Sequence, residues 1–542
     1  MSTLEPPRGL LADSYSPTFG IAYRGQLFAQ RKEQVEKYVP DDADYAVGFA
    51  GAMGKATAGP ACPMELVISG PGASEGAALL GEALGARVHL ARPQLLEGDN
   101  LWNVLSLLDL KYIAGKSGIL EILKREYLSQ WRLRANQVIP KLIDEAMERW
   151  DKLGQLAHLS EPDILRARGG LADLRLLDCV ESSWLAAANR AGLDRAGSLL
   201  RDVRDCVEHF SSTQVLRIEQ QDLVADYMGT TARQLRATIA QASIEIENAT
   251  ARLLDRAEAV ARGPKKTLPR VVRGIRKAPA LQIIDKSVAL HSGQVVLSSK
   301  RDLADPHLVL RLARAAGRRQ TYLGAWTVSA LRGAKMPSEW DDTARQLLID
   351  FLVSAGFRQI FGQLDRVGIP SRIFPLWEQV RSKPVKGQRL TKDYFLVELT
   401  YFACGLASRR ITSVVPARPM APHPAPGVVA LAAILSGFSK SQASEVLMKL
   451  GVDSEWRSDI LKSIELGEVL LQAVSSDASM RAVDEVNEAI GGSKHLLSLL
   501  AVLAEAYLLA VGAPRGQLSA LADLVYMVDE TQVLADPPDF TR

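Results

Sequence analysis

Histidine and cysteine, the side chains most often used to hold transition metals, are sparse and scattered in this sequence. The 7 histidines include no pair four residues apart and no H-E-x-x-H arrangement, and the 4 cysteines include no C-x-x-C pair. This spacing predicts neither a zinc site nor a disulfide framework. The cysteines are therefore interpreted as ordinary buried thiols in a reducing environment.

Two segments could instead bind phosphate groups. Residues 69–76 are rich in glycine but lack the lysine and the spacing of a phosphate-binding loop, which favours a plain connection between a strand and a helix. Residues 262–277 carry 7 basic side chains that could contact phosphates by charge. Because no aromatic side chain interleaves them for base stacking, a solvated loop is favoured over a nucleic-acid site.

The elements that must position any site belong to a globular chain. With 542 residues, 47% of them hydrophobic, the chain can bury a large core without disulfides or metal ions. Its 65 basic and 62 acidic residues nearly cancel, which argues against whole-chain attraction to nucleic acid or to a membrane. No uninterrupted apolar run approaches ~18 residues and the first residues do not resemble a secretion signal, so a cytoplasmic location is expected.

The hydrophobic pattern predicts an α+β fold whose character changes along the chain. A helix over residues 29–39 is followed by short apolar runs broken by glycine, which predict strands, and then by long stretches with helical spacing. The expected strands are 46–51, 64–68 and 86–90, with isolated strands at 215–220 and 295–298, and the longest helical stretches are 118–156, 231–261 and 475–509. Residues 46–90 are expected to form the only sheet of any size, and a proline-rich break is expected at 416–426.

Several motifs connect the chain with a known family. Residues 161–173 resemble the E-P-D-x-K-x-x-x-G-G-L-R-D segment of the bacterial PII uridylyltransferase/uridylyl-removing enzymes. Residues 375–384 and 391–398 are similar to the family's P-E-W-x-x-V-R-x-x-P and T-V-D-x-H-L-V-E segments, and residues 431–440 align with L-A-A-L-F-H-D-I-G-K. The motifs occur in family order, and the resemblance covers roughly residues 45–450.

The resemblance implies a small nucleotidyltransferase-like mixed sheet followed by a predominantly α-helical body. We expect a helical lead-in at 1–44, a nucleotidyltransferase-like α/β domain at 45–115, an associated helical region at 116–330, and a degenerate HD-type phosphohydrolase-like domain with C-terminal helices at 331–542. The last hundred residues have a helical pattern, so the family's two glutamine-sensing ACT modules are expected to be absent.

The family's nucleotidyltransferase site depends on a glycine-rich turn that approaches a triphosphate and on an S-D-x-D pair of acids that holds divalent metal. In the matching stretches, 51–57 and 62–65, proline replaces the first acid and glutamate the second. The resemblance implies these site residues: Glu65 as a residual catalytic carboxylate, and Gly51, Gly54 and Lys55 as nucleotide-binding residues. A single carboxylate is a poor match for the octahedral site that Mg²⁺ prefers.

The motif at 161–173 contributes Asp173 as a further nucleotide-binding candidate. The family's lysine and arginine in this motif, natural partners for phosphate oxygens, fall on Leu165 and Ala172. A structural role for the retained acids and glycines, in a capped turn between packed helices, is favoured over contact with a nucleotide.

The family's hydrolase site holds its metal with an H-D pair and additional histidines. The matching positions here are Ser436 and Gly437 for the H-D pair, and Gln388 and Phe395 for two histidines, while Asp393 is retained. Glycine and phenylalanine offer no side-chain ligand, so the resemblance predicts no metal site in this domain either.

The leading hypothesis is a catalytically degenerate family member that acts as a regulatory or scaffolding protein in nitrogen signalling, without a cofactor. Its partner would be a PII-type protein or an active paralogue. One alternative is an active nucleotidyltransferase that uses Mg²⁺ and transfers UMP or AMP from UTP or ATP, with a second acid completing the site of Glu65. The candidates for that acid are Glu97, Asp99 and Asp109. Another alternative is a nucleic-acid or protein-assembly adaptor that uses residues 262–277.

Overall fold

The computed structural model describes residues 4–91, 106–211, 213–261, 271–272, 275–276, 281–291, 293–299, 303–415, 424–475 and 480–535. The chain divides into two compact units, residues 1–267 and 268–542. Two candidate acids, Glu97 and Asp99, lie outside the described residues, as do most of the basic segment 262–277 and of the break at 416–426.

The described helices and strands of unit 1 are α1 Thr18–Glu36, β1 Ala46–Phe49, α2 Gly51–Gly54, β2 Glu65–Ser69, α3 Ala73–Leu84, β3 Arg87–Leu90, β4 Lys111–Gly115, α4 Ser117–Leu153, α5 Leu171–Ser182, α6 Leu193–Phe210, α7 Gln221–Tyr227 and α8 Ala232–Ala261. The three strands predicted between residues 46 and 90 are confirmed. The strand β4 was not predicted, because only two of its residues are buried and a helix follows directly.

The sheet of unit 1 is mixed, with the strand order β3-β2-β1-β4. Strand β1 is antiparallel to both β2 and β4, while β2 and β3 are parallel. The end of β1 and the beginnings of β2 and β4 therefore lie at one edge of the sheet. The glycine turn, Glu65 and Asp109 all belong to segments that meet at this edge.

The two faces of this sheet contact different hydrophobic clusters. Phe49, Leu66 and Ile68 pack with residues of α1 and α3. Val67 packs on the opposite face, in a cluster that includes residues just before β4 and the first turns of α4. Because side chains alternate along a strand, Glu65 projects from the same face as Val67.

Helices α4, α5, α6 and α8 share the largest core of unit 1. The predicted helical stretches at 118–156 and 231–261 are confirmed as α4 and α8. The strand predicted at 215–220 is wrong, because Val215 forms only an isolated bridge with Asp163 and Ile218–Gln220 is a 3₁₀ helix. The helix predicted over residues 29–39 corresponds to the second half of α1, which begins at Thr18 and ends at Glu36.

The described helices and strands of unit 2 are β5 Val271–Val272, β6 Ile275–Arg276, β7 Gln282–Asp285, β8 Val288–His291, β9 Gln294–Leu297, α9 Leu308–Arg319, α10 Ala325–Ala330, α11 Asp342–Leu352, α12 Phe357–Asp365, α13 Ile369–Ile373, α14 Trp377–Val380, α15 Lys392–Ala407, α16 Pro426–Leu435, α17 Lys440–Lys449, α18 Ser454–Glu465, α19 Val469–Ser475, α20 Met480–Ile490, α21 Lys494–Val511 and α22 Arg515–Ala535.

Unit 2 corrects two sequence-based expectations. Residues 46–90 do not hold the only sheet of any size, because β7, β8 and β9 form a three-stranded antiparallel sheet in which the predicted strand at 295–298 takes part. The predicted helical stretch 475–509 is interrupted. Gly491 and Gly492 both adopt positive φ and end α20, and the Ser493 side chain caps α21.

Helix α21 is the described helix whose length and composition would allow it to cross a membrane, although 61% of its apolar window is buried inside unit 2. It packs against α15 and α22, which is typical of a core helix. Helices α11 and α12 together also pass the length test, but they are bent by 114° relative to one another.

Candidate functional site

Two glycines shape the turn that follows β1. Gly51 begins α2 with φ +57°, in the left-handed region that favours glycine. A Cβ atom on Gly54 would lie 1.9 Å from the carbonyl oxygen of Asp109. Only glycine therefore allows this turn to pack directly on the 3₁₀ helix Leu107–Asp109, and that approach brings Lys55 beside Asp109.

Lys55 lies between two carboxylates. Its Nζ atom is 2.6 Å from Asp178 Oδ2 and 3.2 Å from Asp109 Oδ1. Burial opposes the charge of Lys55, but the two carboxylates outweigh burial and raise the pKa of its ammonium group. Burial raises the pKa of Asp109 although Lys55 opposes this, whereas at Asp178 burial is outweighed and Lys55 lowers the pKa. The ammonium group of Lys55 is thus charged and already has anionic partners.

Two arginines extend this arrangement. Arg175 donates to Ser106 Oγ, and its Nη2 atom would lie 3.2 Å from a Cβ atom on Gly51. Arg190 donates to the carboxylate of Asp178. These side chains form the Lys55 cluster: Lys55, Asp109, Arg175, Asp178 and Arg190.

Glu65 lies at the first position of β2, next to Arg87 in the register of β2 and β3. Its side chain is 40% exposed, and Glu65 Oε1 is 3.9 Å from Arg87 Nη1. Asp109, which could have completed a metal site with Glu65, instead contacts Lys55. Within the described residues, no three or more His, Cys, Asp or Glu side chains are grouped so that they could hold a metal ion.

Asp173 is not brought together with the Lys55 cluster. Its fully buried carboxylate accepts hydrogen bonds from Arg149 Nη2 at 2.6 Å, Trp150 Nε1 at 3.0 Å and the backbone N–H of Gly169 at 2.7 Å. Asp173 and Asp178 both belong to α5, but five residues along a helix correspond to a rotation of roughly 140°. Asp173 therefore joins α4 to the turn before α5, while Asp178 faces Lys55.

Comparison with curated proteins matches the chain to bifunctional uridylyltransferase/uridylyl-removing enzymes. The chain is 30% identical to that of Streptomyces coelicolor over 488 residues, which cover 81% of this chain and 54% of the relative. It is 27% identical to that of Mycobacterium tuberculosis over 450 residues, which cover 77% and 53%, respectively. With that of Corynebacterium glutamicum it shares 30% identity over 282 residues, covering 51% and 40%. No family model matches the chain.

The chain is thus homologous to bifunctional uridylyltransferase/uridylyl-removing enzymes over 77–81% of its length. The resemblance inferred from the motifs is thereby confirmed. The chain spans about half the length of the curated relatives it matches.

In this homologue of the uridylyltransferase/uridylyl-removing enzymes, the positions that the motifs match to hydrolase ligands are closely packed. The Phe395 ring contacts the Tyr507 ring edge to face at 5.2 Å between centroids. Gln388 Nε2 donates to the Tyr507 hydroxyl at 3.2 Å. A Cβ atom on Gly437 would lie 2.6 Å from Leu396 Cδ1. An aromatic pair and an aliphatic side chain thus pack where the motifs place imidazole and carboxylate ligands.

Asp393, the retained acid of this region, is buried near the beginning of α15. No donor among the described residues forms a hydrogen bond with its Oδ1 atom. Burial raises the pKa of the Asp393 carboxyl, although hydrogen bonds with Thr391 and the Ser382 backbone oppose the shift. The folded chain therefore holds a proton on Asp393 more tightly than the unfolded chain does. The stability that comes from protonation is present at low pH and is lost as the pH rises through the folded-state pKa.

The substitution Asp393→Asn is accordingly expected to stabilise the chain at pH 7 by about 1 kcal/mol, because asparagine cannot ionise. The gain should shrink as the pH falls towards 4. Urea denaturation at several pH values measures both effects. The control is Asp342→Asn, at a side chain that is 95% exposed, which should leave the pH dependence unchanged. A loss of stability in Asp393→Asn at every pH would show that the carboxylate is needed in its ionised form.

Two arginines that the sequence-based predictions did not include donate hydrogen bonds to the backbone of the connection from the glycine turn to β2. Arg31 Nη2 donates to the carbonyl oxygen of Gly59 at 2.8 Å, and Arg204 Nη2 donates to that of Thr57 at 2.9 Å. Arg204 is buried on α6. The available signal was charge on an apolar helix face, since buried charged groups are rare unless they are paired.

Proposed function

We propose that this chain is a catalytically degenerate member of its family and serves as a regulatory or scaffolding protein in nitrogen signalling. The observation that carries the proposal is the ammonium group of Lys55, which lies against Asp178 and Asp109. A PII-type signalling protein or an active paralogue is the proposed partner, and the cytoplasm is the proposed location.

The Lys55 cluster disfavours a triphosphate at the glycine turn. A phosphate group that approached Lys55 would also approach the carboxylates of Asp178 and Asp109, and like charges at such distances repel. Binding would then require Lys55 to exchange two existing ion pairs for a new one. Arg175 supplies a cation beside Gly51. It lies one helical turn after Ala172, the position where the family motif has arginine, but its guanidinium already donates a hydrogen bond to Ser106.

The residues at β2 do not fit a divalent metal ion. Pro63 has no side-chain oxygen, and Glu65 faces Arg87 across the strand pair. Mg²⁺ requires near-octahedral oxygen coordination, and a transfer reaction needs the ion to bind the phosphates and to activate the attacking hydroxyl. We therefore derive no catalytic step through a metal ion at this site.

The same reasoning applies to the hydrolase-like positions of unit 2. Phe395 and Gly437 offer no side-chain ligand atom, and the contact of Phe395 with the partly buried Tyr507 leaves a packed aromatic pair where imidazole ligands would be needed. Removal of a nucleotide by a metal-bound hydroxide is accordingly outside the proposed function. A folded protein that keeps the architecture of both units without either chemistry would act through binding.

Incubation of the purified chain with a PII-type protein, labelled UTP or ATP, and Mg²⁺ or Mn²⁺ is expected to transfer no label to the PII protein. The physical reason is that no group of carboxylates among the described residues is placed to hold a metal ion. Autoradiography of the separated proteins measures the transfer, and a catalytically active relative serves as the positive control.

The variant Glu65→Gln makes this experiment decisive. Label on the PII protein that disappears in Glu65→Gln would overturn the proposal and establish the active nucleotidyltransferase, with Glu97 or Asp99 as the candidate partner acid. Calorimetric titration should separately detect binding of a PII-type protein or an active paralogue with equal affinity for the wild-type chain and for Glu65→Gln. Absence of binding to both proteins would overturn the scaffolding role.

A further inference from the structure

A groove of about 340 Å³ lies in unit 1, away from the residues of the Lys55 cluster. It is formed by Tyr15 in the segment before α1, by the first turns of α6 and by one face of α8. The residues that define its chemistry are Tyr15, Arg195, Leu199, Ala237, Ala242 and Glu245. Its volume is at the lower end of the range for sites that bind small molecules.

The groove carries one positive and one negative side chain that do not pair with each other. Arg195 donates a long hydrogen bond, 3.4 Å, to the carbonyl oxygen of Tyr15. Glu245 Oε1 accepts a hydrogen bond from Gln241 Nε2 at 3.0 Å. Across the part of the chain that the structure describes, neither Arg195 nor Glu245 forms a salt bridge, so both can attract a charged group of a ligand.

Both charged side chains lie at the N-terminal end of α6. Arg195 belongs to the first turn of α6, and Glu245 Oε2 would lie 3.3 Å from a Cβ atom on Gly192, the residue just before that helix. Residues 192 and 195 are one helical turn apart, roughly 5 Å along the axis. A compact ligand whose positive and negative groups are only a few bonds apart could reach both side chains.

The remaining walls are mostly apolar and held in place by buried structure. Leu199 and Ala242 belong to the main core of unit 1. The Tyr15 hydroxyl donates to Asp202 Oδ2 at 2.7 Å, and burial raises the pKa of this phenol, so its proton remains in place and the ring is fixed. These groups offer a preformed surface for an aliphatic side chain.

We propose that this groove binds a free α-amino acid with an aliphatic side chain. Its carboxylate would pair with Arg195, its ammonium group with Glu245, and its side chain would contact Tyr15 and Leu199. A ligand with only one charge would leave either Arg195 or Glu245 uncompensated after displacing water from it. The proposal concerns residues outside the Lys55 cluster and stands or falls independently of the proposed loss of catalysis.

Calorimetric titration of leucine into the full chain, compared with two half-charged analogues, tests the proposal. The analogues are 4-methylpentanoate, which lacks the ammonium group, and 3-methylbutylamine, which lacks the carboxylate. Leucine is expected to bind the wild-type chain, and each analogue is expected to bind at least ~10-fold more weakly.

Two variants at the charged positions identify the orientation of the ligand. Arg195→Gln should weaken the binding of leucine at least ~10-fold without weakening the binding of 3-methylbutylamine. Glu245→Gln should weaken the binding of leucine without weakening the binding of 4-methylpentanoate. Arg125→Gln, at an exposed position of α4, is the matched control and should bind leucine like the wild-type chain.

A third variant tests the apolar walls without changing charge. Ala237→Trp would place a large ring in the groove and is expected to abolish the heat of leucine binding. The proposal is overturned if leucine gives no heat of binding at about 10 mM, because two ion pairs and an apolar contact should give a dissociation constant below this concentration. It is also overturned if leucine binds Arg195→Gln, Glu245→Gln and the wild-type chain equally.

Discussion

Replacing Arg24 by leucine is expected to lower the free energy of unfolding by about 3–5 kcal/mol. Arg24 lies on α1, and its Nη1 atom is 2.6 Å from Asp202 Oδ1 and 2.7 Å from Asp205 Oδ2 on α6. All three side chains are at most 2% exposed. The substitution would remove the cation that Asp202 and Asp205 share. Asp205 would keep its ion pair with Arg204, whereas the buried Asp202 carboxylate would keep a hydrogen bond from Tyr15 but no cation among the described residues. Buried uncompensated charge is among the most destabilising changes a protein can undergo.

Burial raises the pKa of Asp202, and Arg24 opposes that shift. Without Arg24 the carboxylate would ionise even less readily, so the variant should lose more stability at pH 8 than at pH 5. Urea denaturation of the wild-type chain and of Arg24→Leu at the two pH values measures the difference.

The matched control for Arg24→Leu is Lys37→Leu. Lys37 pairs with Glu33 at 3.0 Å, but both side chains are more than 60% exposed, and such a pair typically contributes ~0.5 kcal/mol or less. The double variant Arg24→Leu, Asp202→Asn should recover part of the lost stability, because it removes the carboxylate that Arg24→Leu leaves without a cation. Equal effects of Arg24→Leu and Lys37→Leu would contradict the structural role of this cluster.

The substitution Asp173→Asn is expected to destabilise the chain by about 3 kcal/mol or more. The carboxylate is fully buried and holds Arg149, Trp150 and the Gly169 backbone together. Asparagine would remove the charge that compensates Arg149, and its amide group would face one of the existing donors. Thermal and urea denaturation measure the loss.

The control for Asp173→Asn is Asp178→Asn, the same chemical change on the same helix. The Asp178 side chain is 25% exposed, so solvent can compensate part of the loss at Lys55 and Arg190, and the expected destabilisation is ~1 kcal/mol. If Asp173 served instead to contact a nucleotide, Asp173→Asn would retain wild-type stability and lose nucleotide binding. That pattern would restore Asp173 to the list of binding residues.

The outcome for the strands illustrates how far the pattern of the chain can be interpreted. The apolar runs that became β1, β2 and β3 were recognisable because glycine separates them and because each is apolar over most of its length. Strands β4, β7 and β8 were not predicted, because these strands are short and because β4 and β7 each expose two of their residues. Strand formation there depends on the neighbouring strand.

The candidate site shows a similar division. Gly54 was singled out as a residue that approaches a phosphate, and in the structure it approaches the backbone of Asp109 instead. Asp173 was favoured as part of a capped turn, and its hydrogen bond with the N–H of Gly169 has that geometry. Arg175 and Asp178 were not singled out at all, because nothing in the local pattern of α5 indicates that they face Lys55.

The sequence by itself indicated the resemblance to uridylyltransferase/uridylyl-removing enzymes, through motifs in a specific order, and it determined which positions matched to metal ligands lack a side-chain donor. The side chains of Pro63, Phe395 and Gly437 have no ligand atom in any conformation. That these side chains cannot bind a metal ion therefore follows without knowledge of the structure. The tertiary structure alone decided the partners of the charged residues. Lys55 meets Asp178, 123 residues away, because the packing of α5 places them together, and such long-range proximity leaves no trace in local composition or periodicity.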